Sequence, residues 1–320
     1  MKQLSSPNRL PKIIYYAMLV FVTVIWGMDP IINTRLYRYY SAAALSSLST
    51  LVSALFFFLL SIKKLKLLNK SYIKIALPIC TLNSLASLLQ RIGLQYTTPA
   101  KYAFLEHLSC IVVPLVLFLF LKKKPSLLQW CASLLCLSGC LLLTGVGNEA
   151  VRLGIGETLC GSAGILFGIC IVATGAYAKK LDIGLFMMIH MFTYFLTSAT
   201  GTVVLHCIRH NGQPLEAFVF SLNIRHLATG ILFGFVSVGL CWLLRNEATR
   251  NVNPSAVAVI APLAAVISAV VSILSGSDKF SASLLISSGM ILSAAILSGI
   301  AEVRADRKRK TPKRAPLSHN

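Results

Sequence analysis

Long apolar runs alternate with short polar connectors along the whole chain. Ten segments carry the roughly 20 predominantly apolar residues that a helix needs to cross the hydrocarbon core of a bilayer. They are 13–34, 40–61, 73–96, 100–121, 126–145, 154–177, 184–206, 226–246, 253–274 and 281–300. The connectors are basic or turn-forming: KKLKLLNK (63–70), LKKKPS (121–126), Asn211-Gly212 before Pro214, and SGSDK (275–279). Inside lipid every backbone polar group needs a partner within the protein, and runs of this length meet that need as helices. The pattern predicts an all-α integral membrane protein with ten transmembrane helices.

Composition agrees. Of the 320 residues 56% are hydrophobic and 12% charged, with a mean hydropathy of +0.76; soluble domains carry about 25% charged residues. This excludes the pair of soluble domains that the length alone would permit. The formal charge of +20 does not point to nucleic acid, because the basic residues lie between apolar runs and at the chain ends rather than on one folded face. They read instead as topology signals. A cytoplasmic N-terminus puts 22 of the 30 Lys and Arg residues inside and 8 outside or near the outer ends of spans, and that excess sets orientation. Both termini are then cytoplasmic in a multi-pass plasma-membrane protein, with a bacterial inner membrane as the expected setting. The tail RADRKRKTPKR (304–314) anchors the topology and can meet anionic lipid headgroups. Lys2, Arg9 and Lys12 precede an apolar run without a small-x-small cleavage site, so residues 13–34 read as an uncleaved first helix. The nine cysteines have neither CxxC nor Cys/His metal spacing and read as apolar packing residues, with Cys207 alone expected to face water. No cofactor or metal is expected.

The two halves of the chain align. LLQRIGLQYTTPA (88–100) falls without gaps on LLRNEATRNVNPS (243–255), an offset of 155 that also carries 126–145 onto 281–300. Each half holds five spans, an odd number, so equivalent helices cross in opposite directions. Such a 5+5 inverted-topology repeat points to a transporter with its site between the halves. The expected organisation is a cytoplasmic N-tail (1–12), a first repeat (13–145), a second repeat (154–300) and a basic cytoplasmic tail (301–320).

The stretch YTTPAKYAFLEHLSCIVVPLVLFLFLKKKPSLLQWCASLLCLSGCLLL (96–143) resembles the third-to-fifth-helix signature of the drug/metabolite transporter superfamily, in its EamA-like ten-helix branch. Trp26-Gly27 is similar to the Trp-Gly of that family's first helix. GETLCGSAGILFGICIVATGAYAKKLD (156–182) resembles the opening of the second EamA unit, and NVNPSAVAVIAPLAAVIS (251–268) its proline-bearing ninth helix. The resemblance implies a secondary transporter, an exporter of a small metabolite or drug-like solute, and a cavity-lining role for Trp26. Two departures stand out. The family's glutamate after the fourth and ninth helices is replaced by Lys122-Lys123-Lys124 and by SGSDK. The fourth helix carries Glu106-His107 where the family has uncharged residues, which suggests a ligand or ion peculiar to this chain.

Charges within the bilayer cost about 2.5 to 3.5 kcal/mol each on insertion scales and by default mark function. At 1.5 Å per residue, Arg91 lies about 6 Å and Glu106 about 9 Å below the same interface on neighbouring helices, so the two are expected to pair. Gln90, His107, Trp26 and Asp29 fall in the same outer layer, where Pro30 frees a backbone carbonyl. Arg245, Asn246, Glu247 and Arg250 form a counterpart near the cytoplasm, and the two layers bracket a midplane site as alternating gates. A structural reading stands beside this one: Arg91 and Glu106 could only pin two helices together, and the inner set could be solvated. His190 reads as a packing histidine with a local partner. The two GILFG pentapeptides (164–168 and 230–234) read as close helix contacts.

Three functions compete. Transport by alternating access, with Glu106, Asp29 or His107 as proton-coupling groups, fits the repeat. An intramembrane enzyme lacks a recognisable nucleophile–base or HExxH motif, so no enzymatic activity is expected. A non-transporting subunit of a lipid-modifying or envelope assembly is the alternative. The expected partners are a small-molecule solute, protons and membrane lipids, with a homodimer as an open assembly.

Overall fold

Proline placement and residue spacing explain much of the helical architecture. A computed structural model of the chain describes residues 11–94, 96–97, 99–144, 154–210, 213–214, 216–274 and 281–310. Its helices are α1 (Lys12–Leu36), α2 (Ala42–Ser61), α3 (Lys70–Leu94), α4 (Pro99–Glu106), α5 (Ser109–Leu119), α6 (Leu127–Thr144) and α7 (Ile155–Tyr177). They continue as α8 (Ile183–Cys207), α9 (Ile224–Gly234), α10 (Cys241–Asn251), α11 (Pro254–Ile260), α12 (Leu263–Leu274) and α13 (Ala282–Lys310). A π-helical segment, Phe235–Leu240, joins α9 to α10. Among the described residues eight helical stretches are long and apolar enough to cross a membrane, and two shorter apolar ones cover Phe104–Leu119 and Leu127–Leu143. The remaining regular structure is a two-residue pairing of Arg209–His210 with Gln213–Pro214 and one bridge between Tyr40 and Phe220.

Two expected spans are broken helices. The fourth stops at Glu106 and restarts at Ser109, and the ninth stops at Ile260 and restarts at Leu263. At the second break the cause is visible: Pro262 cannot donate to the carbonyl of Ala258, four residues earlier, and Cys110 Sγ takes that acceptor at 3.0 Å. Several helix starts are capped by side chains, among them Asp182 accepting from the Leu185 N–H, Asn223 from Arg225 and Asn253 from Ser255. The eighth expected span, 226–246, is a longer stretch, Ile224–Asn251, and the last runs past residue 300 to Lys310.

The packing follows a paired pattern. α2 lies on α8 and α6 on α13; α3 packs on α7 as α1 does on α10, and α5 packs on α7 as α12 does on α1. Small residues make the α2–α8 seam, where Ser47 and Thr202 hydroxyls meet at 3.2 Å and Ser46 and Ser198 at 3.4 Å. Both GILFG segments are close contacts, as expected. A Cβ on Gly164 would meet the Leu105 carbonyl oxygen of α4, and one on Gly234 would meet Ser49 of α2. Seven of the nine cysteines are buried; Cys131 joins Cys207 as exposed, and all nine are free thiols.

Candidate functional site

Four elements converge on one polar layer: α1, α3–α4, α8 and the π-segment with α10. On α1, Trp26 and Asp29 are three residues apart and share a face. The π-segment disrupts the regular ladder opposite them, a distortion common at functional sites. Trp26 Nε1 donates to the Ser237 carbonyl at 3.0 Å, and the Ser237 hydroxyl donates to Asp29 Oδ2. The other oxygen, Asp29 Oδ1, is buried without a hydrogen-bond partner.

Arg245 of α10 occupies the centre. Its guanidinium lies 4.7 Å from the Trp242 ring and 5.8 Å from the Trp26 ring, while the two indoles meet edge-on at 5.5 Å. Cation–π contact of this kind is worth about 2 kcal/mol or more when desolvated. The Glu106 carboxylate lies within electrostatic reach of Arg245, but neither of its oxygens comes within 4 Å of the guanidinium. Arg245 forms no hydrogen bond or ion pair among the described residues. It therefore presents an uncommitted cation between aromatic walls.

Beneath it lies His190 of α8, 1% exposed. The Asn83 amide of α3 sits 2.7 Å from its Nε2 and the Asn246 amide of α10 sits 3.3 Å from Nδ1. An imidazole held at both nitrogens by neutral amides donates at one and accepts at the other, so this trio joins α3, α8 and α10 without a charge. Its ring stands edge-on to Trp242 at 4.8 Å. A polar cavity of about 10 Å³, room for one water, is lined by Asn83, His190, Arg245, Asn246 and Thr249 among others.

Residues 13–145 match the family model described as the EamA-like transporter family. This stretch is similar to an EamA-like transporter unit. A search of curated proteins gives no match. Among solved structures, one titled only as the crystal structure of a protein is similar, with a TM-score of 0.70 at 13% identity, covering 92% of this chain and all of that one. At that identity the likeness speaks for the fold alone. The apolar helices are those of a multi-pass membrane protein, and residues 13–145 are similar to a transporter family.

Within residues 13–145, Trp26 and Asp29 meet at Ser237, but the expected Arg91–Glu106 pair does not form among the described residues. Arg91 Nη2 donates to the Tyr194 hydroxyl at 3.4 Å and its guanidinium lies 6.0 Å from that ring, so it faces α8 instead. Its Nη1 is buried without a hydrogen-bond partner. His107 is buried at the α4–α5 break, where its backbone makes i to i+3 bonds, and no ion pair or ring contact ties it to the layer.

The expected inner set divides. Arg245 and Asn246 belong to the central layer with the charges of residues 13–145. Glu247 instead pairs with Arg250 at 2.9 Å, and Arg250 also donates to the Leu181 and Lys179 carbonyls at 2.5 and 3.3 Å. Sequence reasoning missed Ser237, Trp242, Asn83 and Tyr194 as members of the layer. None has a local signature, since each is an ordinary residue for a transmembrane helix. The clue available was that Asn83, Gln90 and Arg91 fall on adjacent faces of one span. Among the described residues no group of three or more His, Cys, Asp or Glu side chains is placed to hold a metal ion.

Proposed function

We propose that the chain is a secondary transporter that exports a small metabolite or drug-like solute by alternating access. The observation that carries this reading is the uncommitted Arg245, boxed by Trp26 and Trp242 and faced by Glu106, at the junction of the two halves of the chain. A buried cation without an acceptor is costly, and a solute group that pairs with it offsets that cost only while bound. Asp29 and Glu106 are the carboxylates available to exchange a proton against the solute.

The ten-helix inverted repeat belongs to the same proposal. Pro99 and Pro254, which open α4 and α11, are 155 residues apart, and so are Leu127 and Ala282, which open α6 and α13. Both halves have a broken fourth helix at this register, and the packing pairs of one half recur in the other. This recurrence supports two equivalent five-helix units. The basic excess supports an orientation with both termini in the cytoplasm of a plasma membrane.

Flux is the decisive measurement. Purified protein in sealed vesicles is expected to move at least one member of a metabolite library, with a rate that responds to an imposed pH gradient. Glu106→Gln is expected to retain solute binding and lose the pH response. If that response is unchanged, coupling belongs to Asp29; if no library member moves despite correct insertion, the transport reading fails.

A further inference from the structure

On the outer surface of the bundle, away from the charged layer, α2, α3 and α8 diverge around an apolar groove of about 520 Å³. Leu55 and Phe58 of α2, Ile73 and Leu77 of α3 and Phe192 of α8 line it, and Leu68 closes one end. The five helical side chains are each more than 40% exposed, so the groove opens sideways to the surroundings. Its lone hydroxyl, on Thr193, is already bonded to Ser84 and to the His190 carbonyl. Nothing in the groove asks for a polar ligand.

The rim is different. Leu68 lies in the segment that joins α2 to α3, and that segment and the first turns of α3 carry Lys63, Lys64, Lys66, Lys70 and Lys74. All five are exposed. Lys64 is committed to Asp182 at 2.8 Å; the other four form no ion pair among the described residues. Lys70 and Lys74 share with Ile73 and Leu77 the face set by i, i+3 and i+4 spacing, so the basic stripe continues the groove wall. Asp182 is the acid at this rim, and Lys64 neutralises it.

A groove open to the bilayer, dry along its length and ending at uncommitted lysines has the chemistry of a phospholipid with a net negative headgroup. We propose that it holds one anionic phospholipid, with an acyl chain between α2, α3 and α8 and the phosphate on Lys66, Lys70 and Lys74. Clustered lysines at the membrane surface attract such headgroups. The inference rests on the groove and its rim, and is independent of which solute the charged layer takes.

Native mass spectrometry of the full chain, delipidated and then titrated with phosphatidylglycerol or phosphatidylcholine, tests it. One phosphatidylglycerol per chain is expected to be retained in preference to phosphatidylcholine. The double variant K70Q/K74Q is expected to weaken phosphatidylglycerol binding roughly 30-fold, about five-fold for each lysine. Leu77→Trp, which fills the groove from a lipid-facing position, is expected to remove the bound lipid with Lys70 and Lys74 intact. K123Q/K124Q, in a basic connector without a groove, is expected to change nothing. Equal retention of the two lipids overturns the proposal, as does an equal loss in K70Q/K74Q and K123Q/K124Q or full retention in Leu77→Trp. Circular dichroism and gel filtration of each variant separate a lost site from a lost fold.

Discussion

Arg245 concentrates the residue-scale argument, because its guanidinium has aromatic walls but no hydrogen bond or ion pair among the described residues. Lysine at this position keeps the charge but loses the planar face that lies against Trp26 and Trp242. Arg245→Lys is therefore expected to weaken solute binding about tenfold or more, read by the fluorescence of these tryptophans, with little change in thermal stability. Unchanged affinity would assign the cation to helix packing. Asp182 makes a second residue-scale case outside the membrane. Burial raises its carboxyl, but the hydrogen bond from Lys64 and the Leu185 and Gly184 N–H groups outweigh that and hold it below the ordinary value of 3.8. A depressed carboxylate contributes stability that is complete above its unfolded value and is lost as pH falls through the folded one. An acid titration of unfolding should thus show a step below about pH 4 that Asp182→Asn lacks; identical profiles would remove the pair from the stability argument. The sequence identified Arg245, Glu106 and Arg91 as charged residues within spans but mispaired them. Equal depth on two helices does not fix which face each side chain occupies, and Arg91 turns to Tyr194 of α8. Arg245 was read as nearer the cytoplasm because its span was ended at residue 246. Ending it at Asn251 puts Arg245 six residues, about 9 Å, inside.

At the scale of elements, the legible part was periodic and the illegible part was interruption. Approximate bounds of the long helices follow from apolar run length, and eight described stretches are long and apolar enough to cross a membrane. The α4–α5 and α11–α12 breaks and the π-segment did not show, because an apolar sequence reads alike whether its hydrogen bonds are i to i+3, i+4 or i+5. These breaks matter to the site, since one ends on Glu106 and the π-segment offers Ser237 to both Trp26 and Asp29. Glycine in GILFG was legible for a geometric reason, as two glycines four apart make one flat stripe. Gly164 takes that to its limit, with its Cα against the Leu105 carbonyl one residue before Glu106. Backbone cannot yield as a flexible side chain would, so Gly164→Ala is expected to force α7 from α4 at a cost of about 1–3 kcal/mol. Thermal unfolding in detergent measures the loss, and solute affinity should fall with it because Glu106 moves. A wild-type melting temperature would mean that the two helices are not in firm contact. Gly289 of α13, where an added Cβ meets nothing within 4 Å, is the matched position at which alanine should be neutral.

At the scale of the whole molecule, charged ties among the described residues gather at one end of the bundle. There Lys12 and Tyr16 of α1 reach Glu302 of α13 at 2.7 and 2.6 Å, and the backbone N–H of Asn253 reaches the same carboxylate at 3.2 Å. Lys64 and the Tyr72 hydroxyl hold Asp182, and Arg250 clamps the carbonyls of the segment between α7 and α8. At the opposite end the described cross-links include Tyr40 to the Ser221 carbonyl, the Ala43 N–H to Glu216, and Thr97 to Glu157. Under the proposed alternating access each end opens in turn, and these charged ties are what such a cycle would release. Arg250 is the most consequential tie because one fork serves a carboxylate and two carbonyls at once, each such bond being worth about 1.5–3 kcal/mol. Arg250→Lys cannot reproduce the fork. Hydrogen exchange is therefore expected to rise in residues 178–182 and at the start of α8 while α6 and α13, which pack on each other elsewhere, stay protected. If exchange rises equally throughout, the variant has loosened the fold and not a gate; if it rises nowhere, the clamp does not hold this end shut. In the expected case the same variant should raise the rate of solute entry from this end and leave Arg245-dependent affinity unchanged, since the site and the gate are then separate parts of one machine.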